Sequence, residues 1–138
     1  MTDLFEARVG SAAMPTITPD MAAFLTERHL ATLTTLRADG SPHVSAVGFT
    51  YDPVDGVARV ITFAAAMKAR NAGRGGRGAV CQVDGARWLT LEGPIRLVDD
   101  PDGVARATAA YEVRYRRPGA RADRVAIEIA VDRILGRA

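Results

Sequence analysis

Leu30-Ala31-Thr32-Leu33-Thr34-Thr35-Leu36-Arg37, then Ala38-Asp39-Gly40-Ser41, then His43-Val44-Ser45-Ala46-Val47-Gly48-Phe49-Thr50-Tyr51, is the stretch from which the fold can be read. β-Branched and apolar residues fill both arms. The Asp39-Gly40 pair between them suits a tight hairpin turn, because glycine reaches positive φ without steric cost. The stretch therefore predicts two antiparallel strands. Alternation along the second arm puts Val47, Phe49 and Tyr51 on one face and Val44, Ala46, Gly48 and Thr50 on the other. That second face is built of small side chains and leaves room for a flat ring close to the backbone.

Downstream the same texture recurs. Asp52-Pro53-Val54-Asp55-Gly56 reads as another turn and Val57 to Phe63 as a third strand. The alanine content of Ala64 to Ala72 predicts a short helix, and the glycines at 73, 75, 76 and 78 carry too much backbone entropy for regular structure, so 74–78 reads as a loop. A fourth strand, Ala79 to Val83, turns at Asp84-Gly85 into a fifth, Arg87 to about Val98, interrupted at Gly93-Pro94. Asp99-Asp100-Pro101 caps a helix that is apolar at Val104, Ala107, Tyr111 and Tyr115 and ends before Pro118-Gly119. In Val125-Ala126-Ile127-Glu128-Ile129-Ala130-Val131-Asp132 large apolar residues take every odd position, the period of a strand. Six strands joined by short turns and interrupted by helices predict a mainly β fold, a closed antiparallel barrel.

Upstream, Thr18-Pro19-Asp20 forms a helix start, with a capping hydroxyl, a proline at the first position and an acid facing the positive helix end; the helix runs to about Arg28. Residues 1–17 show no sustained period and contain Gly10, Ser11 and Pro15, so they read as a loose lead-in to a domain spanning 18–138.

The 138 residues are 48% hydrophobic and 25% charged, the composition of a single globular domain that buries roughly two-thirds of its unfolded surface. A lone Cys81 excludes an internal disulfide and, with no second thiol or neighbouring histidine, a zinc site; it fits a reducing compartment. Acids stand where a secretory leader needs bases, and no apolar run approaches the ~20 residues of a membrane span. The expectation is a cytoplasmic protein with no membrane segment. A net charge of +2 is too weak a field to point to nucleic acid. All but one of the 18 basic residues are arginine, and they crowd Arg70 to Arg77 and Arg114 to Arg124, two candidate anion sites.

Gly73, Gly75 and Gly78 match G-x-G-x-x-G, but a dinucleotide fingerprint needs a strand before it and a helix after, and here the order is reversed. His29 and His43 stand in no recognisable nucleophile setting, and no metal cluster is evident. His29 reads as a helix C-cap and His43 as the start of a strand. Lys68, the one lysine, follows a strand in the arrangement Thr62-x5-Lys68-x2-Asn71. A compact ammonium grips phosphate as a point charge, yet most lysines are solvated, so spacing alone leaves both readings open.

Taken as a set, the blocks Leu33 to Gly48, Thr62-x5-Lys68-x2-Asn71, and Gln82-Val83-Asp84-Gly85-Ala86-Arg87-Trp88-Leu89-Thr90-Leu91-Glu92-Gly93 resemble the pyridoxamine-phosphate-oxidase-like split barrels, and more closely their branch that uses the deazaflavin coenzyme F420. The resemblance covers about Phe24 to Gly136. It implies a six-stranded split β-barrel of the FMN-binding type, a homodimer with cofactor sites at the subunit interface, and coenzyme F420 as cofactor, with FMN as the alternative. It implies that His43, Val44, Ser45, Ala46, Val47 and Gly48 lie along the ring system beside Ile61, that Thr62 and Lys68 take the phosphate with Met67 and Asn71 in support, and that Trp88 lies near the cofactor or in the core.

The implied reaction is hydride transfer to a conjugated acceptor, with biliverdin to bilirubin first among the candidates. The propionates of such a tetrapyrrole need cations, for which Arg114 and Arg117, with Tyr111 on the same helix, are the candidates; no proton donor is assigned. The alternatives are an FMN-dependent oxidase or reductase, or a non-enzymatic flavin, haem or bilin carrier. Relatives place hydroxyl, glycine or charged residues between the threonine and the lysine, where this chain has Phe63-Ala64-Ala65-Ala66-Met67, which leaves part of the phosphate work to Arg70 or Arg74.

Overall fold

The computed structural model describes residues 3–9 and 14–138. It opens with a helix, α1 (Leu4–Val9), where the sequence predicts a loose lead-in. A six-residue helix does not hold itself together in water; tertiary contacts hold this one. Phe5 packs on Val57 and Ala130, and Arg8 Nη2 donates to the carbonyls of Asp55 and Gly56, each at 2.7 Å. The parts of the lead-in expectation at residues 1–2 and 10–13 lie outside the described residues. Next, α2 (Pro19–Thr26) starts as expected, with Thr18 Oγ1 accepting from Met21 N–H at 3.1 Å, and buries Phe24 and Leu25.

β1 (Ala31–Leu36) and β2 (Pro42–Val47) form the expected hairpin, in register from Ala31 opposite Val47 to Leu36 opposite Pro42. The second arm is not one strand, however. It breaks at Gly48-Phe49 and resumes as β3 (Thr50–Asp52), which pairs with β4 (Val57–Phe63). The break has a tertiary cause: the Phe49 N–H donates to the Tyr115 hydroxyl at 3.1 Å and the Phe49 carbonyl accepts from Arg114 Nη1 at 2.6 Å, so side chains of α4 and its end take the groups a strand would pair.

α3 (Met67–Gly73) precedes β5 (Arg77–Asp84) and β6 (Arg87–Val98). Helix before and strand after the glycines agrees with rejecting the dinucleotide fingerprint. The interruption expected at Gly93-Pro94 is a change of partner within a continuous strand. β6 pairs with β5 as far as Pro94 and, from Ile95, with β7 (Arg124–Ala130), which follows α4 (Pro101–Arg114). Gly93 is required there, since a Cβ would lie 2.0 Å from the Ala130 carbonyl oxygen. Finally β8 (Arg133–Arg137) pairs with β6. The split of the second arm and the addition of β8 make eight strands instead of six.

The strand order is β2-β1-β5-β6-β7-β4-β3, with β8 alongside β6. Its two ends, β2 and β3, are joined by Gly48 and Phe49 alone, a link that spans at most ~10 Å, so the sheet must curl round on itself. The enclosed core includes Phe24, Leu33, Phe49, Val60, Val80, Leu89, Leu91, Ile127 and Ile129. β3 matches β4 only from Val57 to Arg59, which leaves Val60–Phe63 with no neighbour on that side; here the barrel is split. No helix among the described residues is long and apolar enough to cross a membrane.

Candidate functional site

The split is a cleft of about 300 Å³. Ala46, Val47 and Gly48 form one lip, Ile61, Thr62 and Phe63 the other, and Lys68, Tyr111 and Pro118 close the ends. Seven of these nine come from the residues the sequence singled out; Phe63 and Pro118 do not. Lys68 is half-buried here and joins none of the ion pairs among the described residues. Gly48 lies flush against aromatic rings, since a Cβ would sit 3.0 Å from both Tyr111 Cε2 and Tyr115 Cε2. Those two rings pack against each other, tilted by 33°, with centroids 4.9 Å apart.

Along β2, Val44 and Ala46 face outward and alternate with His43 and Ser45. His43 Nδ1 and Ser45 Oγ are buried and have no hydrogen-bond partner among the described residues. Both lie on the inner face of β2, Ser45 opposite Leu33 and His43 opposite Thr35. His43, Val44 and Ser45 do not line the split itself. Its small lips and free ammonium fit a flat, phosphorylated redox cofactor.

Met67 and Asn71 are not in the split. They line a second cleft of about 390 Å³ with Arg37, Asp39, Arg70 and Arg74. Asn71 is buried; its Nδ2 donates to Thr35 Oγ1 at 2.9 Å and its Oδ1 accepts from Arg74 Nη2 at 2.5 Å, so it ties α3 to β1 and aims Arg74. Arg37, Arg70 and Arg74 each donate to a backbone carbonyl and keep further N–H groups for an anion. Asp39 stays ionised below its ordinary pKa because the Ser41 hydroxyl and N–H donate to it.

Trp88 stands away from the split in its own chain. It lies opposite Val83 on the outer face of the β5–β6 hairpin, 38% exposed, and so outside the core as well. Arg114 requires a correction. It was expected to meet a substrate anion, but its Nε and Nη2 donate to the Glu27 carbonyl at 2.9 and 2.7 Å, its Nη1 to the Phe49 carbonyl, and its Nη2 also to Gln82 Oε1. Its fork is spent inside the protein. Arg117 is exposed and lines none of these clefts.

His29 does not cap α2. Its Nε2 is 3.0 Å from Glu27 Oε1 and its carbonyl accepts from the Tyr115 hydroxyl at 2.6 Å. Glu27, His29 and Asp84 cluster as metal ligands would, but Arg87 spans the two carboxylates, bidentate to Glu27 at 2.9 Å and 2.6 Å from Asp84. That guanidinium, with the His29 contact, holds the Glu27 carboxyl down at a pKa of about 2.

Barrel, split and anion-seeking clefts together define a cofactor-binding split β-barrel. The sequence description Pyridoxamine 5'-phosphate oxidase matches residues 17–138, and the chain belongs to that family. It is 54% identical over 122 residues to an F420H(2)-dependent biliverdin reductase from Mycobacterium tuberculosis, covering 88% of this chain and 89% of that one. Among solved structures, a conserved hypothetical protein from Mycobacterium tuberculosis is similar at a TM-score of 0.75 and 25% identity, over 92% of this chain and 88% of that one. An F420 reductase is similar at 0.67 and 27%, over 82% of this chain and 94% of that one.

Proposed function

We infer that this protein is a coenzyme F420-dependent oxidoreductase that reduces biliverdin to bilirubin. Its likeness to the mycobacterial biliverdin reductase, along most of both chains, carries the reading. Reduced coenzyme F420, when bound, supplies a hydride to an electron-poor carbon of the acceptor. The chain's own work is to bind and orient. Ala46 and Gly48 let a ring approach β2, and backbone groups from His43 to Gly48 meet its polar edge. Thr62 and Lys68 take the phosphate, and Arg70 and Arg74, the latter aimed by Asn71, take the anionic groups beyond it.

The working unit is a homodimer, and a free Cys81 thiol suits the cytoplasm as its compartment. Support for pairing comes from the outer face of the five strands β1, β2, β5, β6 and β8. There Leu36, Val44, Val83, Trp88 and Leu135 stand exposed, with Arg133, Arg137 and Glu92 beside Leu135 and Trp88, a mixed surface that a second copy would cover. Trp88 belongs to this face, and in the pair it serves the second copy's split.

The test is a fluorescence titration of the purified protein with coenzyme F420 and with FMN, followed by turnover with biliverdin. F420 binding with bilirubin formation is expected; FMN binding alone overturns the reading. Lys68→Ala should weaken F420 binding by ~10-fold or more, the worth of a charge-assisted contact, and unchanged affinity would remove Lys68 from the site.

A further inference from the structure

A third cleft, of about 360 Å³, lies on the other side of Tyr111 from the split and is lined by Arg28, His29, Leu30, Tyr111, Tyr115 and Arg116. We propose that this cleft seats the carboxylate-bearing part of the acceptor, with Arg28 and Arg116 pairing its propionates across the Tyr111–Tyr115 pair. The proposal rests on the reductase reading, which supplies the acceptor's chemistry.

Location is the first argument. Tyr111 is the one residue shared by the split and the third cleft, so a molecule that leaves the split over that ring enters the third cleft. An open-chain tetrapyrrole has four rings in a row and needs more than one such space.

Charge is the second. Arg28 and Arg116 are exposed and donate to no acceptor among the described residues, whereas Arg87 and Arg114 are held in hydrogen bonds. Glu27, the acid nearest in sequence, faces Arg87 and His29, so its charge is already met. A free arginine offers a carboxylate two parallel N–H donors.

The apolar part of the wall is the third. Leu30 is 68% exposed beside these arginines, and the tyrosine pair presents an aromatic surface. Flat, apolar and anionic together describe a bilin better than an inorganic anion.

The wall is also fixed in advance. The linker that carries Arg28 and Leu30 is pinned by Arg114, which donates to the Glu27 carbonyl, and by Tyr115, which donates to the His29 carbonyl. Arg114 thus acts as a positioning residue for the arginine that meets the acceptor.

The test compares wild type, Arg28→Gln, Arg116→Gln, the double variant and Arg106→Gln, an exposed arginine of α4 outside the clefts. Affinity for biliverdin is read by absorbance titration, affinity for F420 by fluorescence quenching, and KM and kcat separately, each also with biliverdin dimethyl ester. The double variant is expected to raise Kd and KM for biliverdin by ~10-fold or more while Kd for F420 and kcat stay within about twofold. The wild type should show a similar loss on the ester, the double variant little further loss, and lysine at both positions should restore part of the affinity. Unchanged biliverdin affinity overturns the proposal. So does a loss confined to F420, which would assign the cleft to the coenzyme's own anionic tail. Should wild type bind biliverdin without reducing it, the reductase reading falls while the binding titrations still decide the cleft.

Discussion

Gly48 shows how one missing side chain can shape a site. Its neighbours cannot easily give way, because the Tyr115 hydroxyl is held by the His29 carbonyl and the Phe49 N–H and its ring is packed on Tyr111. Gly48→Ala should therefore cost ~1 kcal/mol or more of stability in urea denaturation and weaken F420 binding several-fold; an unperturbed variant would mean the tyrosines are free to shift. Single residues were also the hardest to read from sequence. Lys68 was ambiguous by spacing and became interpretable once seen half-buried in the split without a partner. The expectation that Arg114 meets a substrate anion came from its place in a crowd of arginines, which reads as an anion site. The signal against that reading was present: Ala107, Tyr111 and Arg114 recur at helical spacing on the face that packs inward. Arg28 gave no signal, since a lone arginine after a helix is ordinary until the chain folds Arg116 beside it.

At the scale of elements, the linker after α2 is fastened to the β5–β6 turn by Glu27, Arg87 and Asp84. The Glu27 carboxyl titrates at about 2 in the folded protein against an ordinary 4.5. A group whose folded pKa is depressed contributes stability above its unfolded pKa, and that contribution fades as pH falls through the folded value. Between those two pH values, then, wild type should lose urea stability more steeply than Glu27→Gln; parallel curves would show that the Arg87 contact contributes nothing in solution. Hairpins and caps were legible because their causes are local, as at Asp39-Gly40 and Thr18-Pro19. The end of β2 was not, since residues more than sixty positions away, Arg114 and Tyr115, take its hydrogen bonds.

For the whole molecule, barrel class followed from strand spacing, but the count fell short. β8 is a five-residue strand, Arg-Ile-Leu-Gly-Arg, with too little alternation to announce itself, and it forms because β6 offers it an edge. The pairing surface can be tested at this scale. Val44→Glu combined with Leu135→Arg should turn a dimer into a monomer in sedimentation velocity, and a wild type that sediments as a monomer rules the dimer out. One consequence of the sheet order remains. β2 and β4 lie near opposite ends of a seven-strand path, yet they face each other across the split. A guest lodged between them works as a clasp on a band whose ends do not meet. Because it grips both ends at once, the grip exists only while the band is closed, and losing the guest and letting the seam part become two descriptions of one event.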